Sequence, residues 1–252
     1  MVEEKGNEET LKESCFFFSI IVPAHNEENY IESTLEHLFV LEYSKDLFEV
    51  IVIENGSTDA TYEKARQYTT ERNAQNCTVY KSEARGVSAA RNHGLDLISS
   101  RADWIVFLDA DTLLAPSFLQ ELNTFLRRSS MKSSVVGTTS ILPTPSTMKA
   151  LAWFMFYDLS HQLTRSSCSL FMVRKDALGV SRFNESQVLM EDLSFIRMMR
   201  RSGKFFFMHT KSVTTSTRRF EADGWVRLFL LYLGVGILPR TLQRRFGYDP
   251  VR

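Results

Sequence analysis

The feature that most constrains the fold of this 252-residue chain is the stretch 104–112, in which an unbroken apolar run ends in two carboxylates. Residues 104–108 are β-branched, aromatic or leucine, which is typical of a strand buried on both faces of a parallel sheet. Such sheets bind ligands at the carboxyl ends of their strands. Asp109 and Asp111 are two residues apart on an extended segment, so they project to the same side, and Ala110 between them leaves room for a ligand. The stretch therefore predicts a buried strand that leads into a polar site.

Asp109 and Asp111 also predict a cation. Two adjacent carboxylates repel each other unless a positive charge joins them. A hard divalent cation with oxygen ligands, bridging to a phosphorylated substrate, fits this pair. The alternative is that residues 109–112 only cap the helix that is predicted to start near Pro116.

Composition excludes some function classes. Thirty basic and thirty acidic residues give a net charge of zero, so we expect no nucleic-acid partner. Cys15, Cys77 and Cys168 are far apart and lack metal-ligand spacing, which favours a reducing compartment. The apolar run 16–22 is cut by Pro23, which is untypical of a signal peptide or a transmembrane helix. We therefore expect a cytoplasmic protein, peripheral at the cytoplasmic face of a membrane.

The order of the predicted elements indicates the fold class. Apolar runs at 16–22, 48–53 and 78–81 each end in polar residues, and helical apolar spacing follows the first two runs. This is the rhythm of an α/β fold with a Rossmann-like, mostly parallel sheet flanked by helices. After residue 113 the rhythm changes, which predicts a mixed second half with strands at 134–141, 169–173, 204–208 and 213–217 and helices at 116–128, 148–163 and 193–201.

Two further sequence patterns predict residues that take part in binding or catalysis. Gly86 precedes a small-residue helix whose first turns carry Arg85 and Arg91, which predicts a diphosphate cradle. An ordinary helix with surface arginines is the alternative. Glu191 and Asp192 are predicted to stand at the start of another helix. One of them is a candidate catalytic carboxylate; the alternative is that the pair only complements the helix dipole.

Four motifs stand in one order, VPAHNEE at 22–28, ENGSTD at 54–59, RGVSAARNHG at 85–94 and DADT at 109–112, with ED at 191–192. Together they resemble the family 2 glycosyltransferases of the GT-A fold over residues 17–217. The resemblance implies an inverting enzyme that transfers a sugar from a UDP- or GDP-sugar to a carbohydrate or lipid-linked acceptor, with Mg²⁺ or Mn²⁺ as cofactor. The processive Gln-x-x-Arg-Trp motif is absent, so the resemblance is to non-processive members.

The resemblance also implies a role for individual residues. Asp192 is the expected catalytic base, Asp109 and Asp111 are the expected metal ligands, and Glu54 is expected to accept an N–H of the nucleotide base. Many relatives have two aspartates where this chain has Glu54-Asn55. The expected nucleotide-sugar site comprises Pro23, Ala24, His25, Glu27, Glu54, Asn55, Ser57, Arg85, Gly86, Arg91, Asp109, Ala110, Asp111 and Glu191. Whether His209, Arg218 and Arg219 take part is left open.

We expect a flexible leader at 1–14, one domain at 15–217 and a helical extension at 218–252. The domain divides into a nucleotide-binding half, 15–112, and an acceptor half, 113–217. In the extension, Leu228–Leu238 is apolar but too short to span a bilayer.

Trp225 and Arg227 precede this apolar run, and Arg240, Arg244 and Arg245 follow it. Residues 225–245 therefore predict peripheral membrane contact. Packing of the run against the helix at 148–163 is the alternative.

Two other functions compete with sugar transfer. A nucleotidyltransferase shares a nucleotide-binding sheet and an acidic pair, but its first loop is usually glycine-rich and basic, whereas residues 23–28 are acidic and lack glycine. A catalytically inactive nucleotide-sugar-binding protein on the same fold is the other alternative. Every carboxylate that the chemistry needs is present, which favours an enzyme.

Overall fold

The computed structural model describes residues 15–83, 85–187 and 190–228. The predicted leader and residues 229–252 lie outside this part. The strands are β1 (Phe18–Ala24), β2 (Phe48–Glu54), β3 (Cys77–Lys81), β4 (Trp104–Leu108), β5 (Thr112–Leu114), β6 (Ser134–Thr139), β7 (Leu142–Thr144), β8 (Leu170–Arg174), β9 (Lys204–Met208) and β10 (Val213–Ser216). The helices are α1 (Ile31–Phe39), α2 (Thr61–Glu71), α3 (Val87–Leu97), α4 (Phe118–Leu126), α5 (Met148–Thr164), α6 (Lys175–Leu178), α7 (Glu191–Met199) and α8 (Arg218–Asp223).

Seven strands form the main sheet in the order β3-β2-β1-β4-β8-β6-β9. The four strands from the first half of the chain are parallel, as predicted. Strand β8 lies antiparallel between β4 and β6, a reversal that the apolar pattern of β8 does not reveal. The predicted α/β fold with a mostly parallel sheet between helices is confirmed.

The apolar run of strand β4 is unbroken because its side chains pack on both faces of the sheet. Trp104, Val106 and Leu108 belong to a core cluster under α1 and α4. Ile105 and Phe107 point the other way, into a second cluster with α3 and α7. Both faces of β4 are therefore buried, and the polar residues can begin only where the strand ends.

A second sheet, β5-β10-β7, lies beside the end of β4. Its strands β5 and β7 have three residues each, and the sequence pattern missed both. Pro143 lies in β7, which is an edge strand, where a missing N–H is tolerated. Strand β10 pairs with both neighbours and so brings the residues that follow it back to the carboxylates after β4.

The C-terminal part of the described chain packs on the main core. Phe220, Trp225 and Leu228 are buried in the same cluster as β4. Trp225 is 7% exposed and packs on Trp153 and Phe220, so its ring belongs to the core. The remaining residues of the predicted contact, 229–245, lie outside the described residues, and the division at 217 stays a prediction. In the described part, no helix is long and apolar enough to cross a bilayer.

Gly137→Ala is expected to destabilise the protein by about 1–3 kcal/mol, because a Cβ at this position would overpack the core. That atom would lie 2.5 Å from three ring atoms of Phe206, which is 4% exposed and packed against Trp104 and Phe125. Chemical unfolding measures the loss. The double variant Gly137→Ala/Phe206→Leu should be less unstable than additivity predicts, whereas strict additivity would contradict this packing.

Candidate active site

The loop after β4 is fixed from three directions. The Thr34 hydroxyl donates to the Ala110 carbonyl at 2.6 Å, and Asp109 N–H donates to the Ser169 carbonyl at 2.9 Å. Thr112 N–H closes the turn onto the Asp109 carbonyl at 3.1 Å. Ala110 is 3% exposed and belongs to the core cluster. Its methyl group therefore packs inward, and the idea that Ala110 leaves room for a ligand stays a prediction.

Arg91 connects two of the predicted carboxylates. One guanidinium nitrogen lies 2.9 Å from Glu191 Oε1 and the other 3.2 Å from Asp109 Oδ1. The guanidinium also lies 5.5 Å from the ring centroids of Phe171 and Phe183. Arg91 is buried and already engaged with carboxylates, whereas the cradle prediction had it facing a diphosphate. In this structure Arg91 holds Asp109 and the first residue of α7, and its contact with a diphosphate stays a prediction.

Arg85 and Gly86 stand where α3 begins. Arg85 is exposed, and its side chain lies 3.7 Å from the point where a Cβ on Gly56 would be. Gly56 and Gly86 both have positive φ, 82° and 103°, which favours glycine. Arg85 is therefore the arginine of this motif that the fold leaves at the surface, over the turn after β2.

Asp192 lies at the start of α7, as predicted, beside Glu191 and Asp109. The pKa of Asp192 is raised to about 7, first by burial and then by the charge of Glu191, against the lowering effect of Arg91. Burial likewise raises the pKa of Asp109 to about 6, against the lowering effect of Arg91. Leu193 N–H donates to Asp192 Oδ1 at 2.7 Å and fixes that carboxyl group. A carboxylate with a raised pKa is suited to take a proton from a substrate.

Arg218 joins the site from the far end of the described chain. Its guanidinium lies 2.6 Å from Glu27 Oε1 and 3.2 Å from Asp111 Oδ2, and it stacks over the Tyr30 ring at 4.2 Å. Burial raises the pKa of Asp111, and Arg218 counteracts that rise. The structure thus places Arg218, which the sequence left open, at the carboxylates. The charge of Arg219 also lowers the pKa of Asp109, whereas His209 is exposed and packs on Phe207.

Glu54 lies at the end of β2, beside the end of β1. It is 1% exposed, and its Oε1 accepts a hydrogen bond from Ser57 N–H. Its Oε2 is buried without a hydrogen-bond partner among the described residues. A buried carboxylate oxygen without a donor is costly, so this atom indicates that a ligand N–H binds here.

The other residues at these strand ends mainly hold the loops together. His25 Nδ1 lies 3.0 Å from the Asn55 carbonyl, and Asn55 N–H donates to the Ala24 carbonyl at 3.0 Å. Ser57 Oγ accepts from Asn26 N–H at 3.0 Å. Pro23 and Ala24 are buried in β1.

Asn26 lies in the loop between β1 and α1. The helix begins at Ile31, and Asn26 has φ 55° and accepts a hydrogen bond from Thr58 N–H at 2.8 Å. The side chain therefore connects the first two loops of the site.

Three residues at the site, Ser169, Thr215 and Cys168, belong to none of the sequence motifs. Ser169, directly before β8, and Thr215, in β10, lie 3.3 Å apart, and Thr215 contacts Thr112 at 3.0 Å. Burial raises the pKa of Cys168 to about 12, so its thiol stays protonated beside Asp109 and Asp192. These residues lie at the site through strand pairing and have no motif of their own.

Within residues 15–83, 85–187 and 190–228, no group of three or more His, Cys, Asp or Glu side chains is arranged to hold a metal ion. Asp109 and Asp111 nevertheless offer the hard oxygen donors that Mg²⁺ and Mn²⁺ prefer. Arg91 pairs with Asp109 and Glu191, and Arg218 pairs with Glu27 and Asp111. The carboxylates therefore outnumber these cations, and the donor set fits a divalent metal.

Known proteins resemble this chain in sequence. GgaA, a minor teichoic acid biosynthesis protein of Bacillus subtilis, is 37% identical over 111 residues, which are 43% of this chain and 24% of GgaA. The poly(ribitol-phosphate) β-N-acetylglucosaminyltransferase TarS of Staphylococcus aureus is 29% identical over 109 residues, 43% of this chain and 18% of TarS. The chain thus spans less than a third of the length of these relatives.

Solved structures share the fold. The crystal structure of S. aureus TarS 1–349 superposes with a TM-score of 0.66 at 21% identity, covering 90% of this chain and 68% of that one. The mannosyltransferase PcManGT of Pyrobaculum calidifontis, in complex with GDP-Man and Mn²⁺, gives 0.62 at 18% identity, covering 91% and 68%. The fold is thus of the GT-A type. The model of the glycosyl transferase family 2 matches residues 19–178, and this chain belongs to that family.

Proposed function

We propose that this chain transfers a sugar, with inversion, from a UDP- or GDP-sugar to a carbohydrate or lipid-linked acceptor. The observation that carries the proposal is that Asp109, Asp111 and Asp192 converge at the same edge of the parallel sheet at which the open acceptor atom of Glu54 lies, with β1 between them. The Glu54 side of this edge suits a nucleotide base, and the aspartate side suits a diphosphate and the attacked carbon. The family membership supports the reaction class.

Asp192 would act as the base. Inverting transfer needs a carboxylate on the face opposite the leaving diphosphate, because the acceptor hydroxyl loses its proton as the anomeric carbon becomes oxocarbenium-like. The raised pKa of Asp192 gives it more affinity for that proton than an ordinary aspartate has. Glu191 is held by Arg91 and keeps the adjacent Asp192 at the start of α7.

Asp109 and Asp111 would hold Mg²⁺ or Mn²⁺, which supplies positive charge to the departing diphosphate when bound. Arg218 lies at the same carboxylates, and its guanidinium fits a phosphate as well as it fits Glu27. The solved complex of PcManGT contains GDP-Man and Mn²⁺, and another structure of TarS contains UDP-GlcNAc. These neighbours support a nucleotide-sugar donor and a divalent metal.

A donor screen tests the function. The chain is incubated with UDP- and GDP-sugars in the presence of MnCl₂ or MgCl₂, and release of the nucleoside diphosphate is measured. Slow hydrolysis of at least one donor is expected even without the acceptor, because water can replace it. If no donor binds and none is hydrolysed, the proposal is wrong.

Glu54→Gln is expected to weaken nucleotide binding by about 10- to 100-fold, since it replaces a charged acceptor and offers an N–H where the base N–H would bind. Titration calorimetry with UDP and GDP measures the dissociation constants. Glu63→Gln is the matched control, because Glu63 is exposed in the first turn of α2. Equal affinities of wild type and Glu54→Gln would remove Glu54 from the nucleotide site.

A further inference from the structure

Helix α5 presents an apolar stripe to solvent. Met148, Met155, Leu159 and Leu163 are 84%, 74%, 55% and 75% exposed. Their spacing of seven, four and four residues places them on one face of the helix. At 1.5 Å per residue the stripe is about 22 Å long. A continuous exposed apolar strip of this length marks an interaction surface, unlike isolated surface apolar residues.

The opposite face of α5 is already used by the fold. Ala150 and Phe154 are buried, and Phe154 packs against Phe220 at a centroid distance of 5.6 Å. The helix is therefore apolar on both faces, although only one of them faces the core.

Positive charge lies at both ends of the stripe. Lys149 is exposed next to Met148, and Arg165 follows the last turn. Arg197 and Arg200 are three residues apart at the end of α7 and so are neighbours on the helix surface, and the charge of Arg165 contributes, after burial, to lowering the pKa of Arg200. We call Arg165, Arg197 and Arg200 the arginine cluster. Asp158 is the acidic residue of α5. Its carboxyl group is half-buried and accepts a hydrogen bond from Ile141 N–H at 3.3 Å.

These charges argue against a second copy of the chain as the partner. If two α5 stripes met antiparallel, Lys149 of each copy would face the arginine cluster of the other. If they met parallel, the two arginine clusters would face each other. Both arrangements bring like charges together, which costs affinity. An anionic lipid surface complements both the apolar stripe and its basic ends.

We propose that the α5 stripe lies in the interface of an anionic membrane, with Lys149 and the arginine cluster at the lipid headgroups. This surface is distinct from the contact predicted from residues 225–245. The described chain ends beside it, however, since Trp225 packs on Trp153 of α5 and the sequence after Leu228 continues with apolar residues. The proposal does not depend on the transfer reaction.

Vesicle co-sedimentation of the full chain tests the proposal. Phosphatidylcholine vesicles with phosphatidylglycerol should sediment the wild type at low salt, and pure phosphatidylcholine vesicles should do so less. The variant Met155→Gln/Leu159→Gln/Leu163→Gln should lose about tenfold or more in partitioning. Val40→Gln/Val180→Gln is the matched control, because both valines are exposed away from α5, and it should bind as the wild type does.

A second variant tests the basic ends. Replacing the arginine cluster with glutamine should remove most of the preference for anionic vesicles and leave circular dichroism unchanged.

The proposal is overturned if the wild type stays in the supernatant, or if the α5 variant sediments as strongly as the wild type. If the wild type stays in the supernatant, light scattering and thermal unfolding identify what covers the α5 stripe instead of a membrane. A dimer that the α5 variant converts to a monomer indicates a second copy. A monomer that the variant destabilises indicates that residues 229–252 of the chain cover the stripe.

Discussion

Asp192→Asn is expected to lower kcat by about 10²- to 10⁴-fold, the usual contribution of a general base, and to change donor affinity little. Asparagine keeps the shape of the side chain and can still accept the Leu193 N–H, but it cannot take the acceptor proton. The lost interaction belongs to the transition state, so kcat falls while the donor dissociation constant holds.

Steady-state kinetics and donor titration together measure this effect. Asp176→Asn is the control, because the side chain of Asp176 is 69% exposed and pairs with Arg174 at 2.6 Å. NMR of the product gives the anomeric configuration. Retained configuration, or a kcat within a few-fold of the wild type, would falsify the assignment of Asp192 as an inverting base.

Asp111→Asn, and equally removal of divalent metal by EDTA, should lower turnover by about 10²-fold or more, because a metal contributes several kcal/mol of charge stabilisation to such a reaction. The substitution removes one of the two proposed oxygen ligands and also the carboxylate that Arg218 contacts at 3.2 Å. Added Mn²⁺ or Mg²⁺ should restore the EDTA-treated wild type and restore Asp111→Asn poorly.

Donor hydrolysis across a range of metal concentrations measures this dependence. Asp96→Asn is the matched control, since Asp96 is a surface carboxylate paired with Arg182 at 2.9 Å. Full activity of the wild type in EDTA would show that arginines alone neutralise the diphosphate, and Asp109 and Asp111 would then need another role.

The family assignment also bears on the two alternative functions, a nucleotidyltransferase and an inactive binding protein. A nucleotidyltransferase on a similar sheet no longer fits, because the family model covers residues 19–178. An inactive binding protein would retain the Glu54 effect on nucleotide affinity and show no effect of Asp192→Asn on turnover. The two experiments on these residues therefore distinguish binding from catalysis.

The sequence by itself determined those features that follow from the order of residues within one strand or one helix. The period of a strand and the burial of both faces of β4 explain its apolar run and place Asp109 and Asp111 at its end. Helical spacing predicted α1, α4 and α5, and the Glu191-Asp192 pair was correctly placed at the start of α7. These features follow from side-chain direction along one element, which a sequence records directly.

Tertiary structure alone decided which distant residues meet. Arg91 reaches Glu191 across 100 positions, and Arg218 reaches Glu27 across 191. The pairing of antiparallel β8 and of the short strands β5 and β7 helps to bring these distant residues together. Strand pairing depends on how the whole chain packs around a shared core, and the periodicity of a single segment does not show it. For the same reason the sequence showed that α5 is apolar, and only the packed structure showed which of its faces is left outside.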